Sequence, residues 1–405
     1  MHKRGPFHFQ SLGRPETTTL EEWSQWQWQM RRSLRSAEDF KSKLTLKEDQ
    51  TQAFERNEIQ KIFRAQLTPY YSRLIESVGP PLAKIGLPSV AEFQPGAQQM
   101  LDPLAEKRNS PVPRLLHRYS DRALLLVTDM CSVYCRYCTR KHFTGQDQLS
   151  LKEHELDLAI EYLAGQKGVR EVLISGGDPL TLGDEILFRI LRKLRAIEHI
   201  EVIRIGTRMP VVCPMRITDS LVQGLREFQP IFLMTHFNHP KEITAEAAIA
   251  LEKLVDAGLP VFNQMVFLNG VNNHPAIVQA LNRRLLVLRV KPYYMFQCDP
   301  SQGTDHLRTS VEESEQIVRE LWGHLSGLAM ASHSVDIPNG GGKTTLVPNF
   351  IVRRDAAEIQ FRGWDGVEGI YKNPLHAPEL PSDFTDYEGE WKQLQRGKEE
   401  RRKEI

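Results

Sequence analysis

Short runs of aliphatic and β-branched residues recur through the middle of the chain. They are Ala123–Thr128, Glu171–Ser175, Glu201–Gly206, Ile231–Thr235, Val261–Leu268 and Val290–Phe296. Longer stretches of helix-forming composition separate them: Leu151–Gly165, Asp184–Ile197, Ser220–Phe228, Ala245–Ala257, Pro275–Leu288 and Val311–Leu325. A short strand followed by a longer helix is the rhythm of βα units and of a parallel sheet. Six such units predict an α/β structure, either an incomplete barrel or a doubly wound sheet. Thr244 precedes the helix formers Ala245-Glu246-Ala247-Ala248-Ile249 and is placed to cap them. Gly165, Gly168 and Gly258 stand where helices should end.

The polar motifs fall just after these strands. Three cysteines follow the first, Ser175-Gly176-Gly177-Asp178 the second and Gly206-Thr207-Arg208 the third. Thr235-His236-Phe237-Asn238-His239, Asn269-Gly270-Val271-Asn272 and Gln297-Cys298-Asp299 follow the fourth, fifth and sixth. Active sites of parallel α/β proteins lie at the carboxyl ends of their strands. Turns also favour Gly, Asn and Asp, so the repetition next to the cysteines carries the argument, not any single motif.

Cys131, Cys135 and Cys138 form a C-x3-C-x2-C run. Cysteine thiolates are the usual ligands of iron–sulfur clusters. Three such ligands leave one iron of a cubane open for chemistry. Zinc would need a fourth ligand in paired spacings, and no second pair is present. The remaining cysteines, Cys213 and Cys298, make no disulfide framework, which suits a reducing compartment. A net charge of +1 gives no argument for nucleic acid or an anionic membrane. No apolar stretch approaches the roughly 20 residues that span a bilayer, and the start MHKRGPFHFQ lacks the apolar core of a signal peptide.

Two glycine-rich segments invite ligand readings. Gly176 and Gly177 allow the backbone to approach a bound molecule closely. Near the C-terminus, Asn339-Gly340-Gly341-Gly342-Lys343-Thr344-Thr345 suggests a phosphate loop, but the spacing fails because Ile337 stands where the first glycine should be. Pro348 also argues against the long helix that should follow. A lysine in a glycine-rich loop can instead form a Schiff base with a carbonyl cofactor.

The cysteine run resembles that of the radical S-adenosylmethionine enzymes, and most of the chain resembles the lysine 2,3-aminomutase family. The resemblance runs in order through Trp23-Ser24-Gln25-Trp26-Gln27-Trp28-Gln29, Leu67-Thr68-Pro69-Tyr70-Tyr71, Asp102-Pro103-Leu104, His117-Arg118-Tyr119-Ser120-Asp121-Arg122, the cysteine run, the Ser-Gly-Gly-Asp loop, Lys291-Pro292-Tyr293-Tyr294 and the lysine loop. It implies an α/β fold: a radical S-adenosylmethionine partial (β/α)6 barrel with an N-terminal helical extension and a C-terminal extension. The expected divisions are residues 1–115, 116–330 and 331–405.

The resemblance also implies three cofactors and their ligands. Cys131, Cys135 and Cys138 would hold a [4Fe-4S] cluster. Ser175, Gly176, Gly177, Asp178, His236 and Gln264 would contact S-adenosyl-L-methionine. Lys343 would hold pyridoxal 5'-phosphate covalently, and Arg122 its phosphate. Arg140 would pair with the substrate α-carboxylate, and Asp299 with Asp336 would hold the side-chain ammonium. The implied reaction moves the amino group of L-lysine from Cα to Cβ, through a 5′-deoxyadenosyl radical, to give β-lysine. A flavodoxin or ferredoxin would donate the electron, and a cytoplasmic homodimer or homotetramer with no nucleic-acid or membrane partner is expected.

Departures from the family change some details. Phe296 stands where the best-known members have a tyrosine, and Asn339 where glycine is usual. His274 replaces a cysteine that helps bind structural zinc in some members, and residues 371–405 lack the matching cysteines, so that zinc site is not expected. The charged run Gly397–Ile405 reads as a solvated or disordered end. A glutamate mutase should lack the acidic pair. An arginine mutase of the same mechanism, a radical enzyme that does not use pyridoxal phosphate, and a non-catalytic scaffold are the alternatives.

Overall fold

A computed structural model of the chain describes residues 1–56, 59–147, 150–374, 380–381 and 383–404. All six aliphatic runs are strands: β1 (Arg122–Thr128), β2 (Glu171–Gly176), β3 (Val202–Gly206), β4 (Ile231–Thr235), β5 (Val261–Val266) and β6 (Val290–Phe296). The helices between and after them are α1 (Glu153–Gly165), α2 (Asp184–Arg195), α3 (Asp219–Arg226), α4 (Ala245–Asp256), α5 (Pro275–Val287) and α6 (Val311–Leu321). Each strand pairs in parallel with the next.

A seventh parallel strand, β7 (Ser332–Ile337), follows α6 and pairs with β6. It turns back antiparallel into β8 (Gly342–Leu346). The short strand Leu115–Leu116 lies antiparallel on the other edge, beside β1. The sheet therefore runs in one order from β8 through β7 to β1 and ends on the short strand Leu115–Leu116, with different strands at its two edges. This is a partial barrel, one parallel strand longer than the six expected. The seventh run, Ser-His-Ser-Val-Asp-Ile, is mostly polar and carries no aliphatic signal.

Side-chain alternation divides the sheet into two faces. Leu125, Val127, Val172, Ile174, Ile203, Ile205 and Ile231 are fully buried. They join one core with Leu187, Ile190 and Leu191 of α2, Leu221 and Leu225 of α3 and Leu251 and Leu254 of α4. Full burial of each such side chain contributes roughly 1.5–3 kcal/mol relative to exposure. The alternate positions Leu124, Leu173, Ser175, Arg204, Phe232, Phe262, Gln264, Tyr294 and Phe296 are only half-buried. The inner face of the curved sheet thus remains accessible and is free to carry a site.

The helix ends obey local chemistry. The Thr244 hydroxyl accepts from the Ala247 N–H and caps α4. Gly258, at φ +77°, ends it with paired backbone bonds from Gly258 N to Val255 O and Leu259 N to Leu254 O, both 3.0 Å.

Before the sheet, short helices run from Leu20–Ser24 to Pro80–Gly86. They pack on loops at the carboxyl ends of the strands: Gln66 Nε2 donates to Cys131 O at 2.8 Å, and the Tyr71 hydroxyl donates to Glu242 at 2.8 Å. After β8 come a three-stranded antiparallel meander and the helix Phe384–Glu404. The charged tail, expected as a solvated or disordered end, continues that helix to Glu404, while Ile405 lies outside the described residues. Strong helix formers and the Glu388–Lys392 pair, one turn apart at 2.9 Å, account for this.

Candidate active site

The loop after β1 brings the three cysteines together. Backbone bonds from Gly177 N to Thr128 O (2.6 Å) and Asp178 N to Met130 O (2.7 Å) clamp this loop to the Ser-Gly-Gly-Asp turn. The fit leaves no room for side chains. A Cβ at Gly177 would lie 2.1 Å from Met130 O, and one at Gly176 2.2 Å from Thr128 O. All three thiols are free. Burial, then the neighbouring Asp178 carboxylate and the other two cysteines, push Cys131 well above the ordinary thiol range. Burial and Cys135 likewise raise Cys138. A bound metal would supply the positive charge that favours thiolates, so three half-buried cysteines on one loop are a donor set that fits a cluster.

The N-terminal helices fix this loop from the other side. Arg136, between the second and third cysteines, is fully buried and donates to both Glu92 carboxylate oxygens, at 2.8 and 2.5 Å. Its other bonds reach Arg64 O (2.8 Å) and Phe63 O (3.1 Å). Removing one partner of a buried ion pair strands the other charge, at about 3–5 kcal/mol. Glu92→Ala is therefore expected to lower the unfolding free energy by about that much and to reduce iron loading. Urea unfolding and iron content check both; wild-type values for both would contradict the clamp.

Asp178, expected as a cofactor contact, is committed within the protein. Its Oδ1 accepts from Leu180 N (3.0 Å) and the Thr207 hydroxyl (2.8 Å), and its Oδ2 from Arg208 N (2.7 Å). Its carboxylate thus ties the second loop to the third rather than being directed to a ligand. His236 follows β4, and burial with the nearby Arg208 and Arg140 cations pushes its imidazole down to about 4, so it is neutral at physiological pH. Gln264 lies on the inner face of β5 opposite Tyr294.

Arg140 donates from Nε to Glu106 at 2.7 Å and from Nη1 to Ser175 Oγ at 3.2 Å. Burial opposes its charge, but Glu106 outweighs that and holds its pKa above the ordinary value. Nη2 has no hydrogen-bond partner among the described residues, which leaves one arm of the fork available.

The second half of the site hangs on the β7–β8 hairpin. Its register sets Asp336 directly opposite Lys343, and the lysine Nζ donates to Asp336 at 3.3 Å. Nζ also lies 5.2 Å from the centre of the Phe296 ring. The turn needs left-handed backbone at Asn339 (φ +60°), Gly340 (+79°) and Gly342 (+92°). Asparagine tolerates that region better than most residues, which explains its place among glycines. The hairpin reaches across to the segment before β1: Arg118 donates to Gly340 O, and the Lys343 N–H donates to the Tyr119 hydroxyl at 3.3 Å. Arg122 stacks over the Tyr119 ring at 4.0 Å and pairs with Asp121. A lysine amine, two arginines and a tyrosine thus meet where the hairpin approaches β1. This set suits a phosphorylated carbonyl cofactor. A strand follows the glycines, not a helix, so the hairpin is no phosphate loop.

Asp299 follows β6. Burial, then the Asp336 carboxylate, push its pKa up to about 7, and Thr139 beside it offsets this only in part. Two carboxylates close enough to disfavour each other's charge in a partly buried site call for a cation. In this structure the Lys343 ammonium takes that place beside Asp336. Thr139 immediately follows Cys138, so the acidic pair lies next to the cysteine loop.

Glu92, Glu106 and Glu242, which no motif marks, also build the site, as do Tyr71 and Arg208, which lie in motifs but were given no role there. Each acts on a partner far away in sequence, as the Arg208–Cys135 and Tyr71–Glu242 bonds illustrate.

Residues 125–279 match the radical SAM superfamily, and residues 318–403 match the lysine-2,3-aminomutase family. The chain is 45% identical to the L-lysine 2,3-aminomutase of Fusobacterium nucleatum, over 88% of this chain and 84% of that protein. It is 43% identical to the L-lysine 2,3-aminomutase of Clostridium subterminale, over 88% and 85%. The glutamate 2,3-aminomutase of Clostridioides difficile is 37% identical, over 86% and 82%.

Proposed function

The chain belongs to the lysine 2,3-aminomutase family of radical S-adenosylmethionine enzymes, and from that premise we propose that it interconverts L-lysine and β-lysine. The observation that carries the substrate is the electrostatically coupled pair Asp299 and Asp336, with the Lys343 ammonium already bound to Asp336.

Its cofactors are a [4Fe-4S] cluster, S-adenosylmethionine and pyridoxal phosphate. When bound, they supply one electron, the 5′-deoxyadenosyl radical it releases, and a conjugated carbonyl carbon that carries the migrating nitrogen. Cys131, Cys135 and Cys138 would hold the cluster. The narrow Gly176–Gly177 backbone, Ser175, the neutral His236 and Gln264 would line the space beside it. Lys343 would hold pyridoxal phosphate covalently, with Arg122 near its phosphate.

The chain's own residues then position the substrate. Arg140 offers its free arm to the α-carboxylate, held in aim by Glu106 and Ser175. Asp299 and Asp336 take the side-chain ammonium. With Lys343 engaged by the cofactor, Asp336 would be without its internal cation, and the acidic pair could take the ammonium of the substrate in its place. With both ends fixed, the lysine methylenes between them present Cβ to one place only. Phe296, beside Lys343, adds an apolar wall in place of a tyrosine hydroxyl. Such an oxygen-sensitive site suits a reducing cytoplasm and a small electron-carrier protein as donor, and we place the enzyme there as a homo-oligomer.

A guanidinium also pairs with carboxylates, so arginine is the second reading; glutamate would bring a third carboxylate to Asp299 and Asp336. The test is turnover of lysine, arginine, glutamate and norleucine by the reconstituted enzyme. Lysine is expected to exceed norleucine, which lacks the ammonium, by at least ~10³-fold in kcat/KM, because an unmatched acidic pair rejects an apolar end. Preference for arginine or glutamate would overturn the substrate.

A further inference from the structure

We propose that Arg208 sets the reduction potential of the cluster through a charged hydrogen bond to Cys135. The inference rests on the three cysteines holding that cluster. Arg208 follows β3, and its Nη1 lies 3.0 Å from Cys135 Sγ. It is the one charged side chain that donates to a sulfur of the cysteine run among the described residues. Every nitrogen of its guanidinium is engaged. Nη2 donates to the Glu242 carboxylate at 2.6 Å and to the Tyr71 hydroxyl at 3.0 Å, and Nε to His236 O at 3.3 Å. The backbone N–H of Arg208 is held in turn by Asp178.

The anchor is itself fixed. Glu242 is fully buried, and its second oxygen accepts from Asn238 N (2.6 Å) and His239 N (3.1 Å). Three loops and an N-terminal helix therefore hold one guanidinium against one sulfur. This is far more restraint than charge balance between Arg208 and Glu242 alone requires.

Its effect follows from electrostatics. Reduction adds one negative charge, part of which resides on the ligand sulfurs. A cation hydrogen-bonded to such a sulfur stabilises the reduced state, and burial weakens solvent screening. Glu242 acts in the opposite sense but lies behind the guanidinium, so its charge tempers the effect without cancelling it. The pair is thus an adjustable setting: losing the cation should make reduction harder, and losing the anion should make it easier.

The test is a redox titration of the anaerobically reconstituted protein, followed by electron paramagnetic resonance, without S-adenosylmethionine. In Arg208→Met the ratio of reduced to oxidised cluster at a fixed potential is expected to fall at least tenfold, a shift of about −59 mV for one electron. Glu242→Gln is expected to move the same ratio upward. If Arg208→Met loads iron poorly, Arg208→Lys keeps a charge on a differently shaped head and should shift downward by less. Iron and sulfide content and the cluster's resonance signal are read on the same samples. A wild-type protein without that signal would sink the cluster itself. A normal cluster whose potential moves in neither variant, or moves the same way in both, would overturn the role of Arg208 alone. Weaker S-adenosylmethionine binding at an unchanged potential would likewise overturn it and make Arg208 a cofactor contact.

Discussion

Lys343→Ala should abolish β-lysine formation while leaving the cluster intact. Lys343 is the one amine of the hairpin, and its place opposite Asp336 is fixed by strand register, not by a flexible loop. Alanine at this position can keep the strand but can form no covalent bond to a carbonyl cofactor. The expected loss in turnover is at least on the order of 10³-fold, comparable to deleting an essential member of a catalytic unit. Borohydride treatment of the wild-type protein loaded with pyridoxal phosphate should leave a stable adduct mapped to Lys343 by peptide mass. The alanine variant should show none, with unchanged iron content. An adduct on another lysine with full activity would remove Lys343 from the site.

The second large effect is expected at the acidic pair. Deleting one partner of a desolvated charge pair costs about 2–5 kcal/mol, so Asp336→Ala should lower kcat/KM for lysine between roughly thirty- and several-thousand-fold. Cluster content and pyridoxal phosphate loading should be unchanged. The pair also predicts a pH dependence. The Asp299 pKa is raised in the folded protein, so its ionised form is disfavoured there. That cost is absent well below the unfolded carboxylate range. It grows as pH rises, is complete above about 7, and a bound ammonium relieves it. Below pH 7 Asp299 takes up a proton, and the site loses that negative charge. KM for lysine should then rise toward tenfold per pH unit, while norleucine binding stays flat. A lysine KM independent of pH from 5 to 8 would contradict an ionised pair as the ammonium site.

How far these features were legible in the sequence depends on the range over which each acts. The six aliphatic runs became six strands because a buried face demands a repeating apolar pattern, which the sequence carries openly. The cysteine run and the glycine-flanked lysine were legible for a similar reason: their chemistry needs neighbours within a few residues. Strand β7 was not legible, because Ser332–Ile337 has a half-polar lining role and no aliphatic run. It nevertheless presents Asp336, so the acidic pair could be read from family resemblance but not from periodicity. Glu242, Glu106 and Glu92 left no local trace, and Arg208 stood in a motif after β3 that did not reveal its partners. Arginines and glutamates are common surface residues, and only the fold shows these four turned inward to partners such as Cys135, Arg140 and Arg136. Asp178 carries more than its motif position suggested: its carboxylate is a fastening between two loops.

The central claim is that these residues direct a radical amino shift on lysine, and labelled turnover tests it most directly. Reconstituted enzyme would be reduced anaerobically with S-adenosylmethionine, pyridoxal phosphate and L-lysine carrying a heavy isotope on its α-nitrogen. The account predicts β-lysine with the label retained entirely on the nitrogen at C3. Steady release of 5′-deoxyadenosine from lysine without any β-lysine, or β-lysine whose C3 nitrogen has lost the label, would contradict it.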